Sequence, residues 1–308
     1  MIYISETTPG APGLVSGIGV LASVLDWALP QAGWTVLFSS GDERVYRTVN
    51  GLLLYLNDDN AQFATVRGVE SASSASAHVD PFPSVALAPI SVWRKHNGTG
   101  PTNPRPFDLL IHDDFLSVVL FYGAGGRSDA SAELGAFGQP LLSYPGDAYG
   151  VVMISRKSTS GSTSSDTISA ANVTSALANF GHNNLTWMRD ISGAVKSSSG
   201  KFYASSNGNF GSVLGAPVAR AGYLNQVVRE PLGLDDSGSQ GTTAAPLALS
   251  RRGFFPNFWA AVHSNPGTLT SDDTFTDAGY NPAALFKPVI GASNRWVIQE
   301  VTDTWNIS

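Results

Sequence analysis

The chain has 308 residues, a formal net charge of −6 at pH 7 and no cysteine, which excludes disulfide frameworks, thiolate metal sites and cysteine nucleophiles. It contains no block of basic residues, and because a nucleic-acid surface needs clustered Lys and Arg, we expect no nucleic-acid partner. Charged residues make up only 14% of the chain, which favours strands and loops over charged surface helices and predicts that neighbouring subunits cover part of the surface.

The N-terminal part predicts an extended arm followed by a helix. Met1–Ile4 favours a strand, and we expect the arm Met1–Pro9 to exchange between subunits by strand addition. In Leu14–Leu29 apolar residues recur at helical spacing, so the segment predicts an amphipathic helix that Pro30 ends. This run is too short to span a bilayer, and the start of the chain lacks the basic region of a signal peptide. We therefore expect neither a membrane partner nor secretion.

The segment from Gly33 to Glu70 predicts a β-meander. Asn50-Gly51 lies between two β-favouring runs and predicts a hairpin with a type I′ turn. The strands of the meander are predicted at Trp34–Phe38, Arg44–Thr48, Leu52–Leu56 and Phe63–Val69.

The rest of the chain favours further strands separated by long loops. Strands are predicted at Ile90–Arg94, Phe107–His112, Leu116–Tyr122, Leu141–Tyr144, Val151–Ser155, Thr186–Ile191, Lys201–Ala204, Tyr223–Arg229, Leu247–Ser250 and Asn294–Val301. Ser155–Asp166 and Asp235–Ala245 predict flexible loops or linkers, and Thr167–Phe180 predicts a short helix.

The expected fold class is therefore mainly β, with β-sandwich or barrel-like sheets, one N-terminal amphipathic helix and long Gly/Ser/Thr loops. We divide the chain into an N-terminal arm and helix (1–30), a β domain (31–155) and a second β-rich lobe (156–308). The second lobe can share one sheet system with the first.

One segment matches a dinucleotide-binding pattern, Gly17-Ile18-Gly19-Val20-Leu21-Ala22, with Asp42 and Glu43 further along the chain. Such a site needs a strand before the glycines and a βαβ alternation after them. Neither is predicted here. The glycines are therefore interpreted as close-packing positions at the start of a helix, and no cofactor is expected.

Two other patterns have the residue types of catalytic or metal sites but not their context. Ser198-Ser199-Gly200-Lys201 has the spacing of a serine nucleophile with its lysine, yet it lies in a turn-forming segment rather than on a helix face. The five histidines are scattered and form no metal-binding motif: His78, His96, His112, His182 and His263. We therefore predict no catalytic residue and no metal ligand from these patterns.

Paired aspartates recur at Asp58-Asp59, Asp113-Asp114, Asp235-Asp236 and Asp272-Asp273. Glycoside hydrolysis needs two carboxyl groups about 5–10 Å apart across a cleft, which adjacent aspartates on a turn do not provide. Their expected role is to stabilise turns by accepting a hydrogen bond from the backbone two residues on. A Ca²⁺ ion on one such loop stays an alternative, although none has the pattern of a dedicated site.

The seven tryptophans are spread at wide intervals over the predicted elements. They are interpreted as core and interface residues rather than as a sugar-stacking platform. These residues are Trp27, Trp34, Trp93, Trp187, Trp259, Trp296 and Trp305.

An ordered series of segments runs through most of the chain. After the helix come GWTVLFS, ERVYR, LLLYLND, Ala64–Ser71, Pro81–Pro83, Val92–Lys95, Pro104–Phe107, Gly138 with Tyr144–Tyr149, Thr186–Arg189, Val228–Glu230 and Arg252–Pro256. In its order, rather than in any single motif, the series resembles a group of tailed-bacteriophage virion proteins that are described as structural or tail proteins. The Ser/Thr-rich segment Ser155–Asp166 departs from that pattern.

The resemblance implies a virion structural protein that is not an enzyme. Such a protein is tail-associated, at the neck, collar or baseplate, is assembled in the host bacterial cytoplasm, and acts as a homo-oligomer in contact with other virion proteins. The family carries no known catalytic residues, so none is transferred. Three alternatives stay open: a module on the particle that binds a host-surface glycan or receptor, a capsid decoration protein, and a polysaccharide depolymerase that uses two of the aspartates.

Overall fold

A computed structural model describes residues 1–82, 90–96, 103–123, 127, 132–142, 150–158, 186–188, 201–203, 229–235, 251–261, 274–277, 281–292 and 295–302. The helical elements are α1 (Val20–Ala28) and a 3-10 turn (Leu29–Ala32). The strands are β1 (Ile2–Ser5), β2 (Thr35–Ser40), β3 (Glu43–Arg47), β4 (Leu53–Asn57), β5 (Phe63–Val69), β6 (Ser71–Ala72), β7 (His78–Val79), β8 (Ile90–Arg94), β9 (Phe107–Ile111), β10 (Phe115–Phe121), β11 (Ala132–Gly138), β12 (Leu141–Leu142), β13 (Val152–Ile154), β14 (Arg156–Ser158), β15 (Thr186–Met188), β16 (Lys201–Tyr203), β17 (Arg229–Asp235), β18 (Arg251–Ala261), β19 (Phe275–Asp277), β20 (Asn281–Ala292) and β21 (Arg295–Glu300).

Three large antiparallel sheets and one small one contain these strands. The arm sheet has the order β1-β9-β10-β11-β13-β15, and the meander sheet has the order β14-β8-β5-β4-β3-β2. The third sheet has the order β16-β17-β18-β21-β20-β19, with β12 also paired to β18, while β6 pairs with β7. The protein is therefore mainly β with one short N-terminal helix, which confirms the predicted fold class.

One hydrophobic core lies between α1, the arm sheet and the meander sheet. Burying each large apolar side chain contributes about 1.5–3 kcal/mol, so this core is the main source of stability for the helix, which is too short to be stable alone. The helix contributes Leu21, Ala22, Val24, Leu25 and Ala28; the arm sheet contributes Ile4, Phe107, Leu109, Ile111, Leu116, Val118, Leu120, Phe137 and Met153; and the meander sheet contributes Tyr46, Leu54, Leu56, Ala64, Val66 and Trp93.

The predicted helix is present but begins at Val20 rather than at Leu14. Gly19 directly before it has a φ of 74°, a left-handed conformation that cannot continue an α-helix toward the N-terminus. Leu14 instead forms an isolated β-bridge with Arg105, and Ile18 is 58% exposed. At the other end Pro30 lies in the first turn of the 3-10 segment, so the α-helix ends close to the predicted position.

The meander is confirmed as strands β2 to β5. The hairpin at Asn50-Gly51 is also confirmed, but its turn is not type I′. Gly51 has a φ of 100°, whereas Asn50 is not among the described residues with positive φ. The backbone N–H of Gly51 donates to the carbonyl of Thr48 at 3.2 Å, and that of Thr48 donates to Leu52 at 2.9 Å, so a longer turn closes the hairpin.

Most later strand predictions are confirmed, but three long strands were not predicted. The predicted strands that correspond to β8, β9, β10, β12, β13, β15, β16 and β21 are present, most of them with ends shifted by a residue or two. The long strands that were not predicted are β11, β18 and β20, and the short strands β6, β7, β14 and β19 were not predicted either. Strand β17 begins where the predicted Tyr223–Arg229 strand was expected to end. The predicted Thr167–Phe180 helix and Leu247–Ser250 strand lie outside the described residues.

Strand pairings cross the boundary proposed at position 155. Strand β14, in the segment predicted as a linker, pairs with β8 of the meander sheet, and β15 pairs with β13 of the arm sheet. In the other direction β12 joins β18 of the third sheet. The division into 31–155 and 156–308 stays a prediction.

No helix in the described part of the chain is long and apolar enough to cross a bilayer.

Candidate functional site

The N-terminus of α1, where the sequence matches the dinucleotide pattern, is occupied by a side chain of the protein itself. The backbone N–H of Ala22 donates to Asp58 Oδ2 at 3.0 Å, and the N–H of Gly19 donates to the Asp58 carbonyl at 2.9 Å. A helix N-terminus attracts anions because its first N–H groups have no partner within the helix. The Asp58 carboxylate lies where a phosphate group would have to bind. Gly19 has a positive φ, and a Cβ atom on Gly17 would lie 3.0 Å from Val20 Cγ2, so the interpretation of both glycines as close-packing positions stays a prediction.

Lys95, directly after β8, completes this internal site. Its Nζ contacts Asp58 Oδ1 and donates to the carbonyl of Gly17 at 2.6 Å. Both charged side chains have 0% exposure. Burial raises the pKa of Asp58 and lowers the pKa of Lys95, and the attraction between the two charges only partly offsets this.

A lysine with a lowered pKa is a feature of nucleophilic catalysis. A catalytic lysine must also reach its substrate, and the Lys95 side chain has no exposed surface in this structure. Its contacts join the segment after β8 to the start of α1 and to the turn after β4. The Asp58–Lys95 pair is therefore interpreted as a structural tie.

A second polar network connects the N-terminal strand β1 to its partner strand β9 of the same chain. The Arg127 guanidinium makes two bonds to the Asp108 carboxylate, at 2.6 and 2.8 Å, and two to the Glu6 carboxylate, at 2.6 and 3.0 Å. Tyr3 donates its hydroxyl proton to Asp108 Oδ1 at 2.5 Å, and Lys287 Nζ donates to the Tyr3 hydroxyl oxygen at 3.1 Å. Burial, with the nearby negative charge of Asp108, raises the pKa of Tyr3 well above its ordinary value.

This network explains where the predicted exchange arm lies. Residues Ile2 to Ser5 pair with Asp108 to Ile111 of β9 in the same chain, and Ile4 is 1% exposed. The predicted strand is confirmed, whereas exchange of the arm between subunits stays a prediction. Lys287, on β20, also connects the third sheet to this network through a 3.3 Å contact with Asp108.

The aspartate pair at positions 113 and 114 joins the two main sheets. Asp114 Oδ1 accepts hydrogen bonds from Thr48 Oγ1 at 2.7 Å and from the N–H of Asn50 at 3.1 Å. The carbonyl of Asp113 accepts from the N–H of Val49 at 3.0 Å. The β9–β10 turn is thus tied to the β3–β4 turn. The prediction that such aspartates bond their own backbone two residues on is wrong for Asp114, and for Asp58 as well.

The outer face of the meander sheet, which faces away from α1, carries a smaller cluster built around Val45, Leu53, Tyr55 and Val69. His78 of β7 stacks on the Tyr55 ring with centroids 4.5 Å apart, and the Tyr55 hydroxyl donates to Glu43 Oε1 at 3.0 Å. Burial lowers the pKa of His78, and the charge of Arg67 lowers it further. In the described part of the chain no group of three or more His, Asp or Glu could hold a metal ion.

Two of the three tryptophans whose side chains are described are fully buried. Trp34 is 1% exposed and donates from Nε1 to the His112 carbonyl at 2.8 Å, while Trp93 is 0% exposed and donates to the Ile154 carbonyl at 2.7 Å. Trp27 is partly buried and packs against the main core. These three are core residues, as predicted.

Several predicted candidates fall outside this description. The residues Ser198, Ser199, Gly200, His182, His263, Asp236, Asp272, Asp273 and Trp305 lie outside the described part of the chain. For Trp187, Trp259, Trp296, Lys201 and Asp235 only the strand that contains them is described.

Strand β2 forms one edge of the meander sheet. Four of its six residues are exposed, and Leu37 and Phe38 are half-buried against the outer-face cluster. No residue of β2 is charged. A neutral sheet edge is a surface to which another strand can add.

Sequence reasoning did not find Lys95 or Arg127, which hold the two internal networks. For Lys95 the available signal was a lysine directly after an apolar strand, Ile90–Arg94. For Arg127 no local signal exists, because Glu6 and Asp108, its two carboxylate partners, are distant in sequence.

No protein-family model matches the chain, and a search of curated proteins found no significant match.

Proposed function

We propose that this protein is a structural building block of a bacteriophage virion. In this proposal it is tail-associated, at the neck, collar or baseplate, and acts through contacts with its own copies and with other virion proteins. The ordered series of segments that resembles phage tail proteins supports the assignment to a virion. A protein of this kind is assembled in the cytoplasm of the host bacterium and works as part of the particle.

The observation that carries the proposal is a contrast within the described residues. Two pairs of buried charged groups form internal ties: Asp58 with Lys95, and Asp108 with Arg127. The edge strand β2, by contrast, is uncharged, and four of its six residues are exposed. An assembly protein needs pairing surfaces rather than an open catalytic cleft, and interface cores are depleted in charged residues.

The decisive experiment is mass spectrometry of purified virions from a phage whose genome encodes this chain. The expected result is peptides of the protein in intact particles, at a copy number that fits a ring or another closed assembly. Labelling of a tagged copy in negatively stained particles should then place it on the tail. Absence from particles that are complete and infective would overturn the proposal, and a label on the head would favour the capsid decoration alternative.

The other two alternatives gain no support from the described residues. A glycan-binding module would be favoured by exposed tryptophans in a shallow groove, yet Trp34 and Trp93 are buried. A depolymerase needs two distant carboxylates across a cleft, yet Asp58 and Asp114 bind a helix N-terminus and a neighbouring turn. A glycan array and a polysaccharide degradation assay on the purified chain test these two alternatives directly.

A further inference from the structure

The edge of the meander sheet formed by β2 has backbone groups that are not used within the described structure. Strand β2 pairs on one side with β3, from Thr35 opposite Arg47 to Ser40 opposite Glu43. Among the described backbone hydrogen bonds outside the strand pairings, none involves residues 35–40. A sheet edge of this kind presents a row of N–H and C=O groups that can pair with another strand.

Proteins usually protect such an edge, and the described residues show one of the common devices at β2. Charged side chains, above all Lys, and Pro are absent from Thr35–Ser40. A register shift between Val36 and Phe38 is the exception, because a bulge twists an edge and weakens pairing there. The residues on both sides of the bulge keep regular pairing with β3, so the edge is modified rather than closed.

The side chains of β2 fit a second copy of the same strand. Leu37 and Phe38 are half-buried and pack against the outer-face cluster. If two β2 strands pair in opposite directions about a two-fold axis between these residues, Leu37 of one copy lies opposite Phe38 of the other. The outer-face clusters of the two copies then form one continuous apolar surface, and aromatic–aliphatic cross-strand pairs stabilise such a contact.

The antiparallel direction follows from the two-fold axis. An axis perpendicular to the sheet reverses the strand direction and keeps the outer faces of the two copies on the same side of the combined sheet. The charges on β3 do not add to this preference. Arg44 and Glu43 lie side by side opposite Ser39 and Ser40, and the β3 strands of the two copies would be about 14 Å apart, beyond the screening length of about 10 Å at 0.1 M salt.

We propose that β2 is a self-association edge, at which two copies of this chain pair antiparallel with Thr35 opposite Ser40, Val36 opposite Ser39 and Leu37 opposite Phe38. The inference rests on the proposed function in one respect, because it gives the contact through which the proposed homo-oligomer forms. The pairing itself is tested on the purified chain.

The size of this contact predicts weak pairing. Six residues at about 3.3 Å each give a seam about 20 Å long, which buries less than the roughly 800 Å² per partner of a stable interface. The isolated chain should therefore associate only at high concentration, with a Kd on the order of micromolar or weaker. Within a particle, other contacts hold the copies together and raise their effective concentration at the seam.

Sedimentation velocity over a concentration series tests the seam with one variant and one control. Val36 is 39% exposed, so Val36→Lys leaves the fold intact but places a positive charge in the seam at two symmetric positions. We expect it to raise the dimer Kd by about tenfold or more. Val79→Lys is the control, because Val79 is 53% exposed on β7 and should leave the Kd unchanged.

A charge pair tests the register. Because Val36 lies opposite Ser39 of the other copy in the proposed seam, the double variant Val36→Lys with Ser39→Glu should restore association through two Lys–Glu pairs. Because the chain has no cysteine, mixing Thr35→Cys with Ser40→Cys chains gives a unique mixed disulfide in this register, whereas either variant alone should not crosslink.

Three results would overturn the proposal. One is a wild-type chain that stays monomeric at all concentrations, and another is a Val36→Lys variant that associates like wild type. The third is the absence of a mixed disulfide between Thr35→Cys and Ser40→Cys chains under conditions in which the wild type associates, which would exclude this register. None of these results removes the protein from the virion, so mass spectrometry of particles still decides the proposed function separately.

Discussion

The inner and outer faces of the meander sheet are built from alternate residues of the same strands, yet they differ in how completely they are covered. On β4, Leu54 and Leu56 point into the main core with α1, while Leu53 and Tyr55 belong to the outer-face cluster. Both sets are buried, which explains why the strand reads as a continuous apolar run rather than an alternating one. The two faces differ at their margins. The inner face ends at the fully buried Asp58–Lys95 pair, whereas the outer face extends to the half-buried residues of β2.

This difference separates residues that specify the fold from residues that are available for contacts. A charge buried under the inner face must keep its partner, because water cannot replace it. Side chains at the margin of the outer face can change with little loss of stability. Substitutions on the inner face should therefore lower the free energy of unfolding, and those at the outer margin should alter association or pH response instead.

The largest effect is expected from Lys95→Ala. The substitution leaves the Asp58 carboxylate buried without its cation and opens a cavity, so the free energy of unfolding should fall by about 3–5 kcal/mol. Urea denaturation followed by circular dichroism measures this change.

Two companion variants make that result specific. Asp58→Asn with Lys95→Met removes both charges but keeps an oxygen to accept from Ala22, so it should recover most of the loss. Arg44→Ala breaks the part-exposed Arg44–Asp26 ion pair, at 3.0 Å, and should cost about 1 kcal/mol or less. Equal losses in the free energy of unfolding for Lys95→Ala and Arg44→Ala would contradict the expected difference between a fully buried and a part-exposed ion pair.

A second large effect is expected where the two main sheets meet. A Cβ atom at Gly135 would lie 2.4 Å from Trp93 Nε1, and the Trp93 ring is fully buried. Gly135→Ala should therefore lower the free energy of unfolding by about 1–3 kcal/mol through overpacking. In a Trp93→Phe background the smaller ring leaves room, so the same substitution should cost less in a double-mutant cycle. Additive losses would show that the two residues are not in contact.

The strands and the helix around the main core could be predicted from the sequence, but the distant residue pairs that connect them could not. The meander strands, the hairpin at Gly51 and the buried stripe of α1 follow from periodicity and turn chemistry, which act within a few residues. The helix start was misplaced because Leu14 and Ile18 continue the apolar spacing, although Gly19 breaks the helical conformation. Hydrophobic periodicity depends on side-chain types alone and carries no information on the backbone φ that a glycine adopts.

The long strands β11, β18 and β20 were missed for a related reason. Ala132–Gly138 contains two glycines, and Asn281–Ala292 contains both Pro and Gly, residues that argue against a strand locally. Their pairing with neighbouring strands overrides that preference. The Asp58–Lys95 and Asp108–Arg127 ties depend on contacts between segments that are distant in sequence, so no spacing rule identifies them.

Two tyrosines on opposite faces of the sheet offer a smaller test. The Tyr46 hydroxyl donates to Asp26 Oδ1 at 2.9 Å on the inner side, and Tyr55 donates to Glu43 Oε1 at 3.0 Å on the outer side. At neutral pH, Tyr46→Phe should cost about 1.5–2 kcal/mol, since a fully buried group loses a bond to a charged partner, and Tyr55→Phe about 1 kcal/mol or less. Denaturation of both variants against wild type measures the difference, and a larger loss for Tyr55→Phe would reverse it.

The same tyrosines predict a response to alkaline pH. Burial, followed by the charge of Asp26, raises the pKa of Tyr46 well above its ordinary value of 10.0. The stability that Tyr46 contributes is thus fully present below the unfolded pKa and is lost as the pH rises above it, because the unfolded chain releases that proton first. At about pH 11 the wild type should have lost about 1.4 kcal/mol more than Tyr46→Phe. Parallel losses in both proteins would contradict the assignment.

The smallest effect is expected at His78, on the outer face. Burial lowers the pKa of His78 below its ordinary value of 6.5, Arg67 lowers it further, and Glu43 partly opposes them. The unfolded chain therefore takes up this proton at a higher pH than the folded chain does. The stability that neutral His78 contributes is present above pH 6.5 and is lost as the pH falls through the lowered folded value.

The measurement is a titration of the histidine ring signals by NMR, assigned with His78→Gln. We expect a midpoint for His78 below 6.5, and a smaller loss of stability on acidification in His78→Gln than in wild type. Because the ring stacks on Tyr55 at the open side of the sheet, the loss should be small compared with that of Lys95→Ala. A midpoint above 6.5 would mean that Glu43 dominates over Arg67 and burial, and the outer-face cluster would then bind a proton more tightly than the unfolded chain does.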